Sequence, residues 1–262
     1  MRAVEMDFFP REETRGDEYG QFDGELESFI SALQTHGNML NGEAILELAD
    51  CVQVRGVIAA DDALSQTNWS IYTLESWEKL KQISVQEPQL RLIEEIDNDD
   101  AVCCCATFNS LVLFTTYIAI SSPVDCLNCG LPVPLYRLPY LKEEKEHWTL
   151  REWEKQYQTF DRLYMNSCWG ERMAYHQLSN PRSGFINHSR KVARELEEKV
   201  GKPVYVFLLH AYQQWSDTCP RCKRPWIWHD TPKSLFHFKC DHCRLISQEA
   251  TSEAKSLSEF HP

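Results

Sequence analysis

Two C-x-x-C segments near the carboxy terminus restrict the folding of this chain more than any other feature: CPRC at 219–222 and CDHC at 240–243, separated by 17 residues. Two residues between cysteines let a tight turn aim both sulfurs at one point, and two such turns complete a tetrahedron of donors. The spacing predicts a four-thiolate Zn²⁺ site built by Cys219, Cys222, Cys240 and Cys243. The spacer carries Trp226, Ile227 and Trp228 after the first turn, then Phe236 and Phe238 before the second, as in a hairpin with little room for a core. In so small a unit the binding of the ion is itself folding free energy, on the order of 10 kcal/mol. Four cysteine ligands leave no open coordination position, so the ion is structural and not catalytic. Iron in a rubredoxin-like site would use the same four thiolates, although structural sites of this kind are usually zinc. His229, His237 and His242 lie nearby and read as solvent-facing or as neighbours of the ligands.

A third pair, Cys126 and Cys129 in CLNCGLPVPLYRLP, is harder to place. A thioredoxin-type redox centre needs a helix starting at its cysteines, and Pro132 and Pro134 oppose one. Gly130 reads instead as the end of a metal-binding turn, which makes the pair half of a second metal site. Cys103 and Cys105 are the nearest candidates for the other half, but cysteine also serves as a small buried apolar residue. Cys51 and Cys168 are most simply core or half-buried thiols. No nucleophile signature surrounds Cys168, whether His176 or His188 is taken as its base.

Eleven cysteines, an odd number with six in C-x-x-C pairs, suit a reducing compartment better than a disulfide scaffold. The amino terminus lacks a basic segment followed by an apolar run, and the longest apolar stretch, residues 111–120, is too short for a bilayer. A cytoplasmic protein without a membrane segment is expected. The net charge of −12 is unevenly divided: residues 1–120 carry 22 acidic and 7 basic side chains, residues 121–262 carry 17 and 20. The first part repels a polyanion; the second need not.

Residues 2–9 read as a strand, and Leu26, Phe29, Ile30 and Leu33 stand at helical spacing before a stop at Gly37. Strands follow at 44–48 and 52–59, a helix near 74–83, a strand at 90–96 and a long β-rich run at 108–120. An acidic cluster, Glu94, Glu95, Asp97, Asp99 and Asp100, reads as a solvated loop. Prolines 123, 132, 134 and 139 mark a junction. Thr149 is placed to cap a helix running to about Met165, with Glu152 three residues on and Trp148 and Trp153 as a hydrophobic staple. An amphipathic helix at 192–200 ends at Gly201, before a strand at 204–209. The class is therefore α+β, with a mixed α/β amino-terminal domain (1–122), a Pro-rich junction and helical region ending in a strand (123–214), a zinc ribbon (215–247) and a polar tail (248–262).

The segments CLNCGLPVPLYRLPY, SCWGERMAYHQLS and ELEEKVGKPVYVFLL, followed by the closing CPRC and CDHC pairs, resemble a bacterial family of zinc-ribbon proteins of unknown function, domain of unknown function 2310. The resemblance implies a zinc ribbon and carries a suggestion of nucleic-acid binding.

Three roles are compatible with these residues. A protein-binding role would set the acidic half against a basic partner, as an immunity protein or antitoxin masks a basic toxin, or as an acidic regulator does. A nucleic-acid-binding role would use Arg221, Lys223, Arg224, Lys233, Lys239 and Arg244 around the ribbon, with Trp226, Trp228, Phe236 and Phe238 stacking on bases. Against this, Asp230 and Asp241 and the net −2 of a zinc tetrathiolate offset the basic rim, and the aromatics are equally suited to packing the ribbon. An enzyme would have to use polar residues at 167–171 or 182–188, since no phosphate loop, dinucleotide fingerprint, H-E-x-x-H or nucleophile elbow is present. The charge division favours a non-enzymatic protein-binding module, with nucleic-acid binding as the alternative.

Overall fold

The computed structural model describes residues 1–14, 20–95, 102–166, 169–211, 216–229 and 236–249. The chain forms two compact units that interleave in sequence: residues 1–102, 120–122 and 132–148 make the first, and 103–119, 123–131 and 149–262 the second.

The first unit has the order β1 (Arg2–Phe8), α1 (Gln21–His36), β2 (Ala44–Glu47), β3 (Val52–Ile58), α2 (Ile71–Gln82), β4 (Gln89–Glu95). Its four strands lie β2-β3-β1-β4, with every pairing antiparallel. This is the β-α-β-β-α-β arrangement of a ferredoxin-like sheet. Period-two alternation sends Val4, Met6 and Phe8 of β1 into the core, where Val52, Val54 and Ile58 of β3 join them. Phe22, Leu26, Phe29, Ile30 and Leu33 of α1 and Trp77 and Leu80 of α2 cover that face. Phe8, Phe29, Trp69 and Trp77 meet with ring centroids 5.3–6.4 Å apart, mostly edge to face. Full burial of each such ring stabilises by roughly 2–3 kcal/mol. The alternate residues carry charge instead: Arg91 reaches Asp7 at 2.7 Å, Arg55 reaches Glu5 at 2.9 Å, and Gln53 donates to Asp7 at 2.8 Å.

Gly37 ends α1 in the left-handed region, φ 85°, its N–H shared between the Leu33 and Gln34 carbonyls. A Cβ there would lie 2.7 Å from Cβ of Leu135, so glycine is required twice over. Ser70 caps α2 by accepting from the Thr73 N–H.

The second unit contains β5 (Leu111–Leu113), β6 (Val124–Cys126), α3 (Trp148–Met165, all but its first residue), α4 (Glu171–Ser179), α5 (Gly184–Val200), β7 (Val204–Phe207), β8 (Phe238–Cys240) and β9 (Leu245–Ser247). The sheet order is β6-β5-β7-β9-β8. Strands β5, β7 and β9 run parallel, and β6 and β8 are antiparallel edges of three residues each. All four residues of the central β7 are buried, as expected of a strand covered on both faces. On α5, Phe185, Ile186, Ser189, Val192, Ala193 and Leu196 form the buried stripe. The fully buried Trp153 of α3 donates from Nε1 to Ser189 Oγ at 2.8 Å and stacks on Phe185.

Several local expectations are corrected. The β-rich run at 108–120 yields only a three-residue strand, because Asp161 of α3 accepts the Tyr117 N–H and Gln158 donates to the Ala119 carbonyl, taking the backbone beyond β5 out of the ladder. Thr149 lies inside α3, which starts at Trp148, and Trp148 is half exposed, unlike the buried partner of a staple. The amphipathic helix expected at 192–200 begins eight residues earlier, at Gly184, where Ser183 accepts from the Ile186 N–H. Glu94 and Glu95 close β4 instead of opening a loop, while Asp97, Asp99 and Asp100 lie outside the described residues.

Candidate metal centres

The first centre forms where two turns converge. The chain at 219–224 closes with the Cys219 N–H donating to the Arg224 carbonyl at 2.7 Å and the Lys223 N–H to the Cys219 carbonyl at 2.9 Å. Lys223, directly after the second cysteine, is left-handed at φ 63°. The second turn joins β8 to β9, with Cys240 paired to Leu245 across the hairpin and Arg244 left-handed at φ 54°. These two residues take a conformation that L side chains seldom adopt, because the turn must bring two sulfurs onto one point.

Cys219, Cys222, Cys240 and Cys243 are free thiols whose sulfurs all lie within 4.8 Å of one another. Sγ of Cys222 and Cys240 are 3.6 Å apart. A disulfide would hold them at about 2.05 Å, whereas a tetrahedral ion with metal–sulfur bonds of about 2.3 Å sets sulfurs about 3.8 Å apart. The donor set fits a mononuclear ion.

Burial and the neighbouring sulfurs push the Cys243 thiol far up, and burial is the main reason that Cys240 rises to about 11. Cys222 falls to about 7: burial opposes this, but the Arg224 N–H and the three other sulfurs outweigh it. A bound cation would relieve this crowding by taking the place of the protons.

Around this centre, Arg190 of α5 donates from Nε to the Cys243 carbonyl at 3.1 Å, a support that no sequence spacing announces. Arg244 forks Glu197 with bonds of 2.8 and 3.0 Å. Lys239 lies over the Tyr205 and Trp228 rings and pairs with Asp241, which also accepts from the Tyr205 hydroxyl. Arg221 donates to the Pro181 carbonyl and to Asn187. Trp226 is buried, packs on Phe238 with ring centroids 5.1 Å apart and donates from Nε1 to the Ser216 carbonyl.

Of the residues expected to meet nucleic acid, Arg221, Trp226, Lys239 and Arg244 are therefore engaged with other parts of the second unit, while Lys223 and Arg224 are exposed and Trp228 partly so. Trp226 is corrected from a stacking platform to a core residue, since a small ribbon has few other apolar groups to bury. Phe236, also offered for stacking, is buried against Phe114 and Phe207. Lys233 and Asp230 lie outside the described residues. His229 and His242 are exposed, and the partly buried His237 donates its backbone N–H to the Ser247 carbonyl.

Cys126 and Cys129 do not stand alone. Cys103 and Cys105 bring their sulfurs to them, all four within 4.8 Å of one another. Among the described residues these are the two groups of three or more metal-ligating side chains so assembled. Cys51 is partly buried, and Cys168 lies outside the described residues. The polar stretch at 182–188, offered for catalysis, builds the start of α5: Ser183 caps it and Asn187 donates to the Arg182 carbonyl. No helix among the described residues is long and apolar enough to cross a membrane.

Residues 105–209 match a family described as a domain of unknown function (DUF2310), and residues 210–252 match a second domain of unknown function (DUF8594). Two uncharacterized proteins of Haemophilus influenzae are similar to the chain. One is 27% identical over 85% of this chain and 88% of its own length; the other is 32% identical over 52% and 69%. Among solved structures, Rv0793 from Mycobacterium tuberculosis aligns with 37% of this chain and 96% of its own, at 15% identity and TM-score 0.31. An antibiotic biosynthesis monooxygenase aligns with 37% and 99%, at 10% identity and TM-score 0.28. By its matched core and its Haemophilus relatives, the chain belongs to the DUF2310 family, a bacterial family of unknown function.

Proposed function

We propose that this chain is a non-enzymatic, zinc-stapled binding protein whose acidic amino-terminal unit takes a basic protein partner, in the manner of an immunity protein, antitoxin or acidic regulator. Zn²⁺ at Cys219, Cys222, Cys240 and Cys243 is structural in this reading, since four thiolates close its coordination shell. The observation that carries the proposal is β2, which among the described residues forms one edge of the first unit's sheet. All four of its residues are exposed, and Ile45, Leu46 and Leu48 show 51%, 37% and 46% of their surface, beside the exposed carboxylates of Glu47 and Asp50. An edge strand offers N–H and C=O groups to an added strand, and the carboxylates around it select a cationic one. The 22 acidic against 7 basic side chains of residues 1–120 extend that selection over the surface.

The test is affinity capture from the native host at low and moderate salt, using the full chain and an Ile45→Lys/Leu46→Lys variant. The expected result is a stoichiometric basic protein whose binding is weakened by salt and lost with the variant. Failure to retain such a partner, together with salt-sensitive binding of single-stranded RNA or DNA that Lys223→Glu/Arg224→Glu abolishes, would favour the nucleic-acid alternative instead.

A further inference from the structure

We propose that Cys103, Cys105, Cys126 and Cys129 hold a second, independent Zn²⁺. The turn at 126–131 repeats that of the first centre bond for bond. The Cys126 N–H donates to the Leu131 carbonyl at 2.9 Å, as Cys219 does to Arg224, and the Gly130 N–H donates to the Cys126 carbonyl, as Lys223 does to Cys219. The residue after the second cysteine is again left-handed, Gly130 at φ 67°. The other two ligands come from a C-x-C arm, and the segment that follows it is tied to this turn. Oδ1 of Asn128 accepts from the Asn109 N–H at 3.0 Å, and the Leu127 N–H donates to the Ser110 carbonyl at 3.0 Å.

The two centres are separate. Cys126 pairs with Leu111 at the start of β5, on one edge of the five-stranded sheet, and Cys240 pairs with Leu245 at the start of β9, on the other edge. Four strand spacings lie between β6 and β8, roughly 19 Å, so no ligand is shared. Four sulfurs within 4.8 Å suit one ion, whereas an iron–sulfur cluster spreads its thiolates around several irons. Four thiolates exceed the ion's two positive charges, leaving a net −2, and leave no position open for substrate. This second ion is structural: it fastens residues 103–105 to the β6 edge.

Cys104 supplies an internal control, because it is exposed between two ligands of which Cys105 is only partly buried. The experiment is alkylation of the folded full chain with iodoacetamide, read by peptide mass spectrometry, alongside metal analysis. Two zinc per chain are expected, with a single label on the peptide carrying Cys103, Cys104 and Cys105 and none on Cys129. A chelator should expose Cys105 and Cys129 to labelling. Cys126→Ser/Cys129→Ser should leave one zinc and unchanged protection of Cys219, Cys222, Cys240 and Cys243. One zinc in the unaltered chain, iron in place of zinc, labelling of Cys105 and Cys129 before chelation, or protection removed by a reductant and not by a chelator would each overturn the proposal.

Discussion

The two sheets of this protein solve the same problem in opposite ways. In the first unit the edge strands have four and seven residues, and the sheet is held by an apolar face against two helices, with a buried aromatic group at its centre. In the second unit the edges β6 and β8 have three residues each, too few for a ladder to hold alone, and each runs into a cysteine turn. Where the edge strands are shortest, sulfur and the metal we assign to it supply the closure; where the first unit's edge is β2, all four of its residues stay exposed.

Metal removal should separate the two units most sharply. Stripping the ion costs on the order of 10 kcal/mol at a structural site of this kind. Hydrogen exchange is expected to show loss of protection at β8, β9 and residues 219–229, while β1 and β3 keep theirs. The converse is Trp77→Ala, which empties part of the first unit's core. It should destabilise that unit by about 3–5 kcal/mol in urea unfolding and leave the zinc content unchanged. Gly37→Ala should cost about 1–2 kcal/mol for the left-handed backbone and more for the contact with Leu135, again without loss of metal.

How much of this contrast the chain announces depends on the range of the interaction. The cysteine turns, the α1 stop at Gly37 and the core alternation of β1 are local patterns, and they are readable from the residues themselves. The C-x-x-C spacing brings Cys219, Cys222, Cys240 and Cys243 together on inspection, whereas Cys103 and Cys105 can be joined to Cys126 and Cys129 only as neighbours in sequence. The support from Arg190, the Glu197–Arg244 fork and the capture of residues 117–119 by α3 are contacts between distant segments, which no spacing encodes. Trp226 illustrates the limit: composition offers it equally to a base and to a core, and only packing decides between them.

Electrostatics contribute least. Asp62 accepts from the Tyr136 hydroxyl at 2.6 Å and from Arg137 at 2.7 Å; burial opposes ionisation, but these bonds hold its carboxyl below the usual range. A depressed folded value means that the contribution is present above the unfolded pKa of about 3.9 and is lost as pH falls through the folded one. Because the Asp62 side chain is half exposed, Asp62→Asn should cost no more than about 1 kcal/mol at pH 7. Chemical denaturation should show that difference vanishing in acid. The first unit contains neither cysteine cluster, so the acid release of metal does not mask the comparison.

Closure of both short edges by four-thiolate zinc comes down to one experiment, zinc X-ray absorption on the full chain. Every zinc is expected to have four sulfur neighbours at about 2.3 Å. Nitrogen or oxygen among those neighbours, or protein purified without chelator that holds no zinc, would contradict it.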